Sequence, residues 1–226
     1  MKQGAFTVSL SAEDTLLHFF DSSIRMDDYW PDGQAQAFLM LLARTSFDEL
    51  LSITDCIIRP CPLDTERIPQ FADTKQIDQV VYTLIGCGEA TLNYKDLGYY
   101  LLRCEHNDGA FAKYGENHGK GASLIGLACN TPGEFSCSAL TQAYANLADA
   151  ELRRQLRLKL YLRIPLLQEL LYCAKYEKYN GYDSMRMFSR STMIRRAQSP
   201  RKLFKELHAT SSEMLQQRID RIYWQE

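Results

Sequence analysis

Long apolar runs, paired cysteines and metal-binding clusters are missing from this sequence of 226 residues. It contains no apolar run of about 18 residues, and residues 1–20 lack the apolar core and small-residue cleavage site of a signal peptide. The seven cysteines are scattered without a C-x-x-C pair, which disfavours zinc and is typical of free thiols in a reducing compartment. We therefore expect a cytoplasmic protein with no membrane segment, no metal and no cofactor.

Catalytic motifs are missing as well. The sequence has no Gly-x-x-x-x-Gly-Lys-Ser/Thr phosphate loop. No acidic-x-Lys triplet lies in an apolar strand, where restriction-type nucleases hold magnesium and orient water. The sequence therefore favours a protein that is not an enzyme. The enzymatic alternative is a metal-dependent nuclease whose carboxylates meet only in the folded chain: Asp48, Glu49, Asp55, Asp64 and Glu66.

Charge, by contrast, is abundant and strongly segregated. Residues 1–105 contain 8 Lys and Arg against 16 Asp and Glu, whereas residues 151–205 contain 14 against 4. In this basic block (residues 151–205) the cations stand beside Tyr, Leu and Ile at helical spacing, which predicts a folded helical surface rather than a disordered tail. Such a surface is typical of nucleic-acid binding. In the other interpretation, the arginines near the end of this block, Arg195, Arg196 and Arg201, pair with the acidic amino-terminal half.

Residues 1–73 are predicted to form an acidic, mostly helical domain. Ser11 precedes two acidic residues and an apolar stripe, which indicates a helix start, and a second helix is predicted over residues 34–44. Ser46 is expected to cap a third helix over residues 47–54. The prolines within residues 59–62 deny the backbone regular hydrogen bonds, so we place the domain boundary near them.

Residues 74–147 have the element order of a winged helix, which is three short helices followed by a β-hairpin. Apolar residues from Ile77 to Ile85 predict the first helix, residues 94–102 the second and residues 108–127 the third. A turn is expected at residues 130–133, with a return strand over residues 135–141. Because Gly115 and two further glycines weaken the third helix, it is alternatively expected to open late, near Glu116.

In a winged helix the third helix enters the major groove of DNA. Its polar side chains are of the kinds that contact base edges or phosphates. The candidate groove residues are Lys113, Asn117, His118, Lys120 and Ser123. A solvent-exposed polar face without a ligand explains the same pattern equally well.

The remaining residues, from 149 onward, are predicted to be helical and basic. Two helices are expected at residues 151–162 and 164–176, followed by a helix-turn-helix near residues 191–204. Its cations are the candidate phosphate contacts: Arg190, Arg195, Arg196, Arg201 and Lys202. A last helix within residues 209–226 carries apolar side chains between Met214 and Trp224, and it is a candidate homodimer contact.

Several short motifs occur together in a recognisable order. They are Tyr114-Gly115-Glu116-Asn117-His118-Gly119-Lys120, Leu124-Ile125-Gly126-Leu127, Leu140-Thr141, Ile164-Pro165 and Ile194-Arg195-Arg196-Ala197-Gln198-Ser199. Over residues 75–208 this order resembles a winged-helix module that accompanies type II restriction endonucleases and related restriction-modification proteins. The resemblance implies recognition of double-stranded DNA. The chain departs from the pattern where Asn117-His118 replaces a Tyr-Tyr pair and where Phe204 replaces a tryptophan.

Together these observations predict a mainly α protein with a winged helix, made of helices and a short β-hairpin, and flanking helical segments. The winged-helix module with its basic helical extension is assigned to residues 74–208. The expected partner is double-stranded DNA, and the expected role is a regulator or the recognition subunit of a restriction-like or phage-defence system. A protein–protein adaptor, whose basic helices bind an acidic partner, is the alternative outside enzymes.

Overall fold

The computed structural model describes residues 11–21, 34–57, 63–70, 74–88, 91–102 and 107–225, and this part of the chain is mainly α-helical, as predicted. The helices are α1 (Ala12–Phe20), α2 (Gln34–Arg44), α3 (Phe47–Asp55), α4 (Gln76–Gly86), α5 (Tyr94–Leu102), α6 (Asp108–Leu124), α7 (Ala139–Ala145), α8 (Ala150–Leu160), α9 (Pro165–Cys173), α10 (Arg190–Arg196), α11 (Gln198–His208) and α12 (Glu213–Asp220). The strands are β1 (Leu92–Asn93), β2 (Cys129–Thr131), β3 (Glu134–Ser136), β4 (Tyr179–Asn180) and β5 (Ile222–Tyr223). None of the described helices has both the length and the apolar character needed to cross a bilayer.

Local sequence signals start and orient the amino-terminal helices. The Ser46 hydroxyl accepts a hydrogen bond from the Glu49 amide at 3.2 Å, and the Glu49 carboxylate accepts one from the Ser46 amide at 2.7 Å. This capping box satisfies amides at the start of α3 that have no partner within the helix. In α1, Leu16, Phe19 and Phe20 are buried. The predicted cap and the predicted apolar stripe are both confirmed.

Between α4 and α7 the chain forms a small antiparallel sheet against α5 and α6. Strand β3 is central, with the order β1-β3-β2. Phe135 in β3 lies opposite Leu92 of β1 and Asn130 of β2, and its side chain is fully buried. Gly133 makes the turn between β2 and β3 at a φ of +91°, a left-handed conformation that glycine adopts without strain. The predicted hairpin is therefore present.

The return strand is shorter than predicted because a helix begins inside the expected range. Strand β3 ends at Ser136, and Ser138 caps α7 by accepting a hydrogen bond from the Thr141 amide at 3.1 Å. The Thr141 hydroxyl also reaches the Leu127 carbonyl at 3.1 Å. A capping box that is also tied to the preceding loop favours helix over strand at residues 138–141.

Helices α5 and α6 approach each other closely because glycines face each other where they meet. A Cβ atom on Gly115 would overlap the Tyr94 carbonyl oxygen and lie 2.6 Å from the Gly98 amide nitrogen. These glycines are therefore required for packing, which the sequence did not reveal. The alternative in which α6 opens near Glu116 is wrong, because the helix begins at Asp108 with Asn107 as its cap.

The buried residues of all three predicted regions form one hydrophobic cluster. Helix α2 packs on α7 and α8, while α3 packs on α9 and α12. Among the largest fully buried side chains are Phe19 from α1, Tyr144 from α7 and Tyr161 from the turn after α8. The described part of residues 1–73 thus shares its core with the rest of the chain. The predicted connector at residues 59–62 lies outside the described residues.

The carboxyl-terminal segment packs onto the same chain. Strand β5 pairs in parallel with β4, with Tyr179 opposite Ile222. In α12, Leu215 is fully buried. Met214 and Tyr223 keep exposed fractions of 39% and 40%. The apolar residues of this segment therefore find much of their burial within the chain, and homodimer formation through the remaining exposed ones stays a prediction.

Candidate functional site

Two cations in the first half of the basic block satisfy the ends of other helices inside the fold. Lys159 donates hydrogen bonds to the carbonyl oxygens of Leu42 at 2.9 Å and Ala43 at 2.8 Å, at the end of α2. Its side chain is buried, and this burial lowers the pKa of its ammonium group. Helix ends carry unpaired carbonyls and partial negative charge, so a cation there stabilises the helix. Lys159 is therefore structural.

Arg163 has the same role for two more helices. Its Nε donates to the Phe19 carbonyl at 2.8 Å, at the end of α1, and its Nη1 donates to the Leu124 carbonyl at 2.9 Å, at the end of α6. The guanidinium also lies over the Phe19 ring, 5.4 Å from the ring centroid. Only 5% of Arg163 is exposed. Through its two hydrogen bonds it joins the ends of α1 and α6, which are far apart in the sequence.

Other cations of the second half of the chain pair with acidic residues of the first half. Arg218 binds Asp55 through two hydrogen bonds of 2.8 and 2.9 Å, and Lys175 contacts the same carboxylate at 2.8 Å. Burial would raise the pKa of Asp55, but the hydrogen bonds from Arg218 and Lys175 outweigh it and hold the pKa below its ordinary value. Arg157 also forms an ion pair with Asp78, through its Nη1. These ion pairs therefore use positive charge of the second half of the chain inside the fold.

The second half of the basic block is different. Residues 190–205 contain six Lys and Arg and no Asp or Glu. Four of the six are exposed on α10 and α11, and we name them the basic surface: Arg190, Arg195, Lys202 and Lys205. Neither Arg195 nor Lys205 forms an ion pair with another described residue. The basic surface therefore presents positive charge outward.

Arg201 is less available than the sequence suggested. Its Nη2 donates to the Tyr182 hydroxyl at 3.1 Å, and its guanidinium lies 5.1 Å from the Trp224 ring centroid. It is half-buried beside a groove of about 290 Å³ that Phe204 and Lys205 also line. Arg201 thus fixes the carboxyl-terminal segment against α11.

Three of the candidate groove residues meet one of the candidate phosphate contacts around a single cleft. The cleft has a volume of about 240 Å³ and lies between α6, α10 and residues 65–70. Lys113, Asn117 and Lys120 line it from α6, and Arg196 lines it from α10. The tertiary structure therefore joins residues that lie far apart in the sequence, but around a concave site rather than on an outer face.

Within this cleft the charges of α6 are largely paired. Glu116 receives a hydrogen bond from Lys113 at 2.8 Å and from Lys120 at 3.0 Å. The hydrogen bond from Lys113 is the main cause that lowers the pKa of Glu116, and Lys120 adds to it against the effect of burial. Lys120 also lies 3.8 Å from Glu66. Both lysines are thus held in position by carboxylates.

Arg196 has a different environment from the lysines. It is 9% exposed, and its Nη1 donates to the Thr65 carbonyl at 3.1 Å. With the amide oxygen of Gln70 turned toward it, its Nη2 also donates to that oxygen at 3.0 Å. Burial is the main cause that lowers the pKa of Arg196, and the neighbouring Arg195 lowers it further. Arg196 is therefore a buried cation whose hydrogen bonds go to uncharged groups.

The other two groove candidates lie on the inner side or at the end of α6. His118 is 1% exposed, its Nδ1 lies 2.9 Å from the Tyr114 carbonyl, and its ring packs 4.0 Å from the Tyr114 ring. Ser123 is half-buried, and its carbonyl accepts a hydrogen bond from Arg163 at 3.4 Å. In this structure, His118 is a core residue, and Ser123 lies where α6 is capped.

Most residues of α6 are buried or half-buried by the rest of the fold. Its exposed residues are Asp108, Gly109 and Lys113. One side of the helix packs on α5 and the sheet, where Gly119 lies against the ring of Phe135, and the other side lines the cleft. A helix that reads bases must present several side chains to the major groove. In the described conformation, α6 presents one long polar side chain outward.

The carboxylates of the nuclease alternative are dispersed and have local roles. Glu49 is part of the capping box of α3, and Asp55 holds Arg218 and Lys175. Asp64 caps the short helical turn at residues 65–67. Across the described ranges, no three His, Cys, Asp or Glu side chains come close enough together to hold a metal ion.

Sequence reasoning missed several residues that shape the site. Lys205 belongs to the basic surface, and its position four residues after Arg201 on one helix was an available signal. Glu116, Glu66 and Gln70 complete the cleft. Glu116 could have been noticed from its spacing to Lys120, whereas nothing local marks Glu66 or Gln70 as neighbours of α6.

Comparison with known proteins adds no relative to these observations. No protein-family model, no curated protein and no solved structure matches this chain. A function is therefore inferred from the cleft and the basic surface themselves.

Proposed function

We propose that this protein binds double-stranded DNA through the phosphate backbone, using the basic surface of Arg190, Arg195, Lys202 and Lys205. The observation that carries this proposal is the contrast between two buried cations of the basic block and the exposed cations of residues 190–205. The buried cations Lys159 and Arg163 are engaged with helix ends. Residues 190–205 themselves contain no Asp or Glu, and four of their cations are exposed. Exposed cations of this kind bind phosphates with release of counterions.

The proposal includes the winged-helix module expected within residues 74–208, with its helices and hairpin running from α4 to β3. Its support is the element order α4-β1-α5-α6-β2-β3 with the sheet order β1-β3-β2, which is a helical bundle followed by a hairpin. In such a module α6 would read the major groove. Because α6 is largely covered, we expect phosphate contacts to dominate and sequence preference to be weak. The role in a restriction-like or phage-defence system stays a prediction that rests on the resemblance.

The test is a fluorescence-anisotropy titration of the protein against a random duplex of about 30 base pairs over a range of salt concentrations. If the four exposed cations each neutralise one phosphate, the logarithm of the binding constant should fall with the logarithm of salt with a slope of about −4. A slope near zero, or no binding at low salt, would contradict the proposal.

A charge-reversal pair locates the interface. Arg195→Glu combined with Lys205→Glu should weaken duplex binding by at least tenfold, because two phosphate contacts become repulsive. The matched control is Arg154→Glu combined with Lys178→Glu, which changes the net charge equally at two exposed cations outside the basic surface. Equal affinities of the two folded variants would remove the proposed interface. Unchanged DNA affinity, with loss of an acidic protein partner instead, would favour the adaptor.

A further inference from the structure

Arg196 is a buried charge whose pairing is incomplete. Its Nε has no hydrogen-bond partner, and the acceptors of its Nη atoms, Thr65 and Gln70, are uncharged. Buried charges in proteins are usually paired, because removing an ion from water without a counter-charge is costly. Since only 9% of Arg196 is exposed, water compensates little of this cost. The site around Arg196 therefore favours an added negative charge.

The cleft in front of Arg196 has the electrostatics for such a charge. It contains three cations, Lys113, Lys120 and Arg196, against two carboxylates, Glu66 and Glu116, so its formal charge is +1 (three minus two). Glu116 is held between the two lysines and does not lie within ion-pair distance of Arg196. One positive charge of the cleft is therefore left without a partner.

Asn117 supplies a second available donor. Its side chain lines the cleft from α6, and it makes no hydrogen bond to another described residue. An amide and a guanidinium that line one concave site are suited to an oxyanion, which accepts several hydrogen bonds at once. The volume of about 240 Å³ is below the range typical of drug-sized ligands, so it fits a small molecule rather than a polymer.

We propose that the cleft between α6, α10 and residues 65–70 binds a small oxyanion, the phosphate or carboxylate group of a small molecule, with Arg196 and Asn117 as its donors. In this arrangement the oxyanion pairs with Arg196, while Lys120 contributes longer-range attraction. The ligand also connects residues 65–70 to α6 and α10, so binding should stabilise the folded protein.

The test is isothermal titration calorimetry of the full chain with inorganic phosphate and, separately, with acetate, together with thermal unfolding in each. We expect binding at one site per chain and a rise in the melting temperature with at least one of the two anions. The anion with the higher affinity identifies the chemical class of the ligand. No heat and no thermal shift with either anion at millimolar concentrations would overturn the proposal.

Three variants test whether the anion binds in the cleft. Asn117→Ala removes a donor that has no role in the fold, and it should weaken anion binding about tenfold. Arg196→Gln should abolish binding. If that variant does not fold, the effect of Asn117→Ala decides. Lys205→Gln, on the basic surface and outside the lining of the cleft, should leave anion binding unchanged while weakening DNA binding, which separates this proposal from the proposed function. Anion affinity that is unchanged in Asn117→Ala would overturn the assignment.

Discussion

Replacing Arg163 by methionine tests whether the buried cations of the basic block stabilise the fold, in contrast to the exposed ones. Arg163 is 5% exposed and donates charge-assisted hydrogen bonds of 2.8 and 2.9 Å to the ends of α1 and α6. Each such bond contributes about 1.5–3 kcal/mol, and methionine recovers about 1 kcal/mol of apolar burial. We therefore expect the free energy of unfolding to fall by about 3 kcal/mol. For a chain of this length that corresponds to a melting temperature lower by about 6–12 °C.

The matched variant is Arg195→Met, which makes the same chemical change at an exposed position of the basic surface. It should change the free energy of unfolding by less than about 0.5 kcal/mol, because Arg195 forms no ion pair with another described residue. Differential scanning calorimetry measures both variants, and anisotropy measures their duplex affinity below the unfolding transition. Arg195→Met should weaken DNA binding, whereas folded Arg163→Met should not. Equal melting temperatures of the two variants would refute the distinction between buried, structural cations and exposed cations in the basic block.

Two further predictions concern packing and pH. Gly115→Ala should destabilise the fold by about 2 kcal/mol or more, because a Cβ there overlaps backbone atoms of α5, and chemical denaturation measures it. Gly109→Ala in the same helix is the control, and its Cβ would make only an ordinary 3.4 Å contact, so a similar loss in both would contradict this explanation. Asp55→Asn should cost about 3 kcal/mol at neutral pH, because it leaves Arg218 without its carboxylate. Since the pKa of Asp55 is held below its ordinary value, this stabilisation is complete well above the unfolded-state pKa of about 3.9 and is lost as the pH falls through the folded-state value. Unfolding measured from neutral to acidic pH should therefore show the variant and the wild type converging in stability, and a constant difference would contradict the assignment.

Much of the helical architecture could be predicted because its signals are local. The capping box of Ser46 and Glu49 and the proline at the first position of α9 each act within one turn of helix. The apolar stripe of α1 likewise follows from helical periodicity. These features depend on residues three or four positions apart, so the sequence specifies them before any tertiary contact forms.

The function of each cation was decided only by the tertiary structure. Arg163 and Arg195 occur in similar basic, helical sequence, yet Arg163 donates to Phe19, which lies 144 positions away in the chain, while Arg195 faces solvent. Likewise, Lys120 and Arg196 line one cleft although the sequence separates them widely. The sequence by itself determined that residues 151–205 form basic helices. Which of their charges are buried was decided by packing against α1, α2 and α6, because desolvation and pairing depend on neighbours that are distant in the chain.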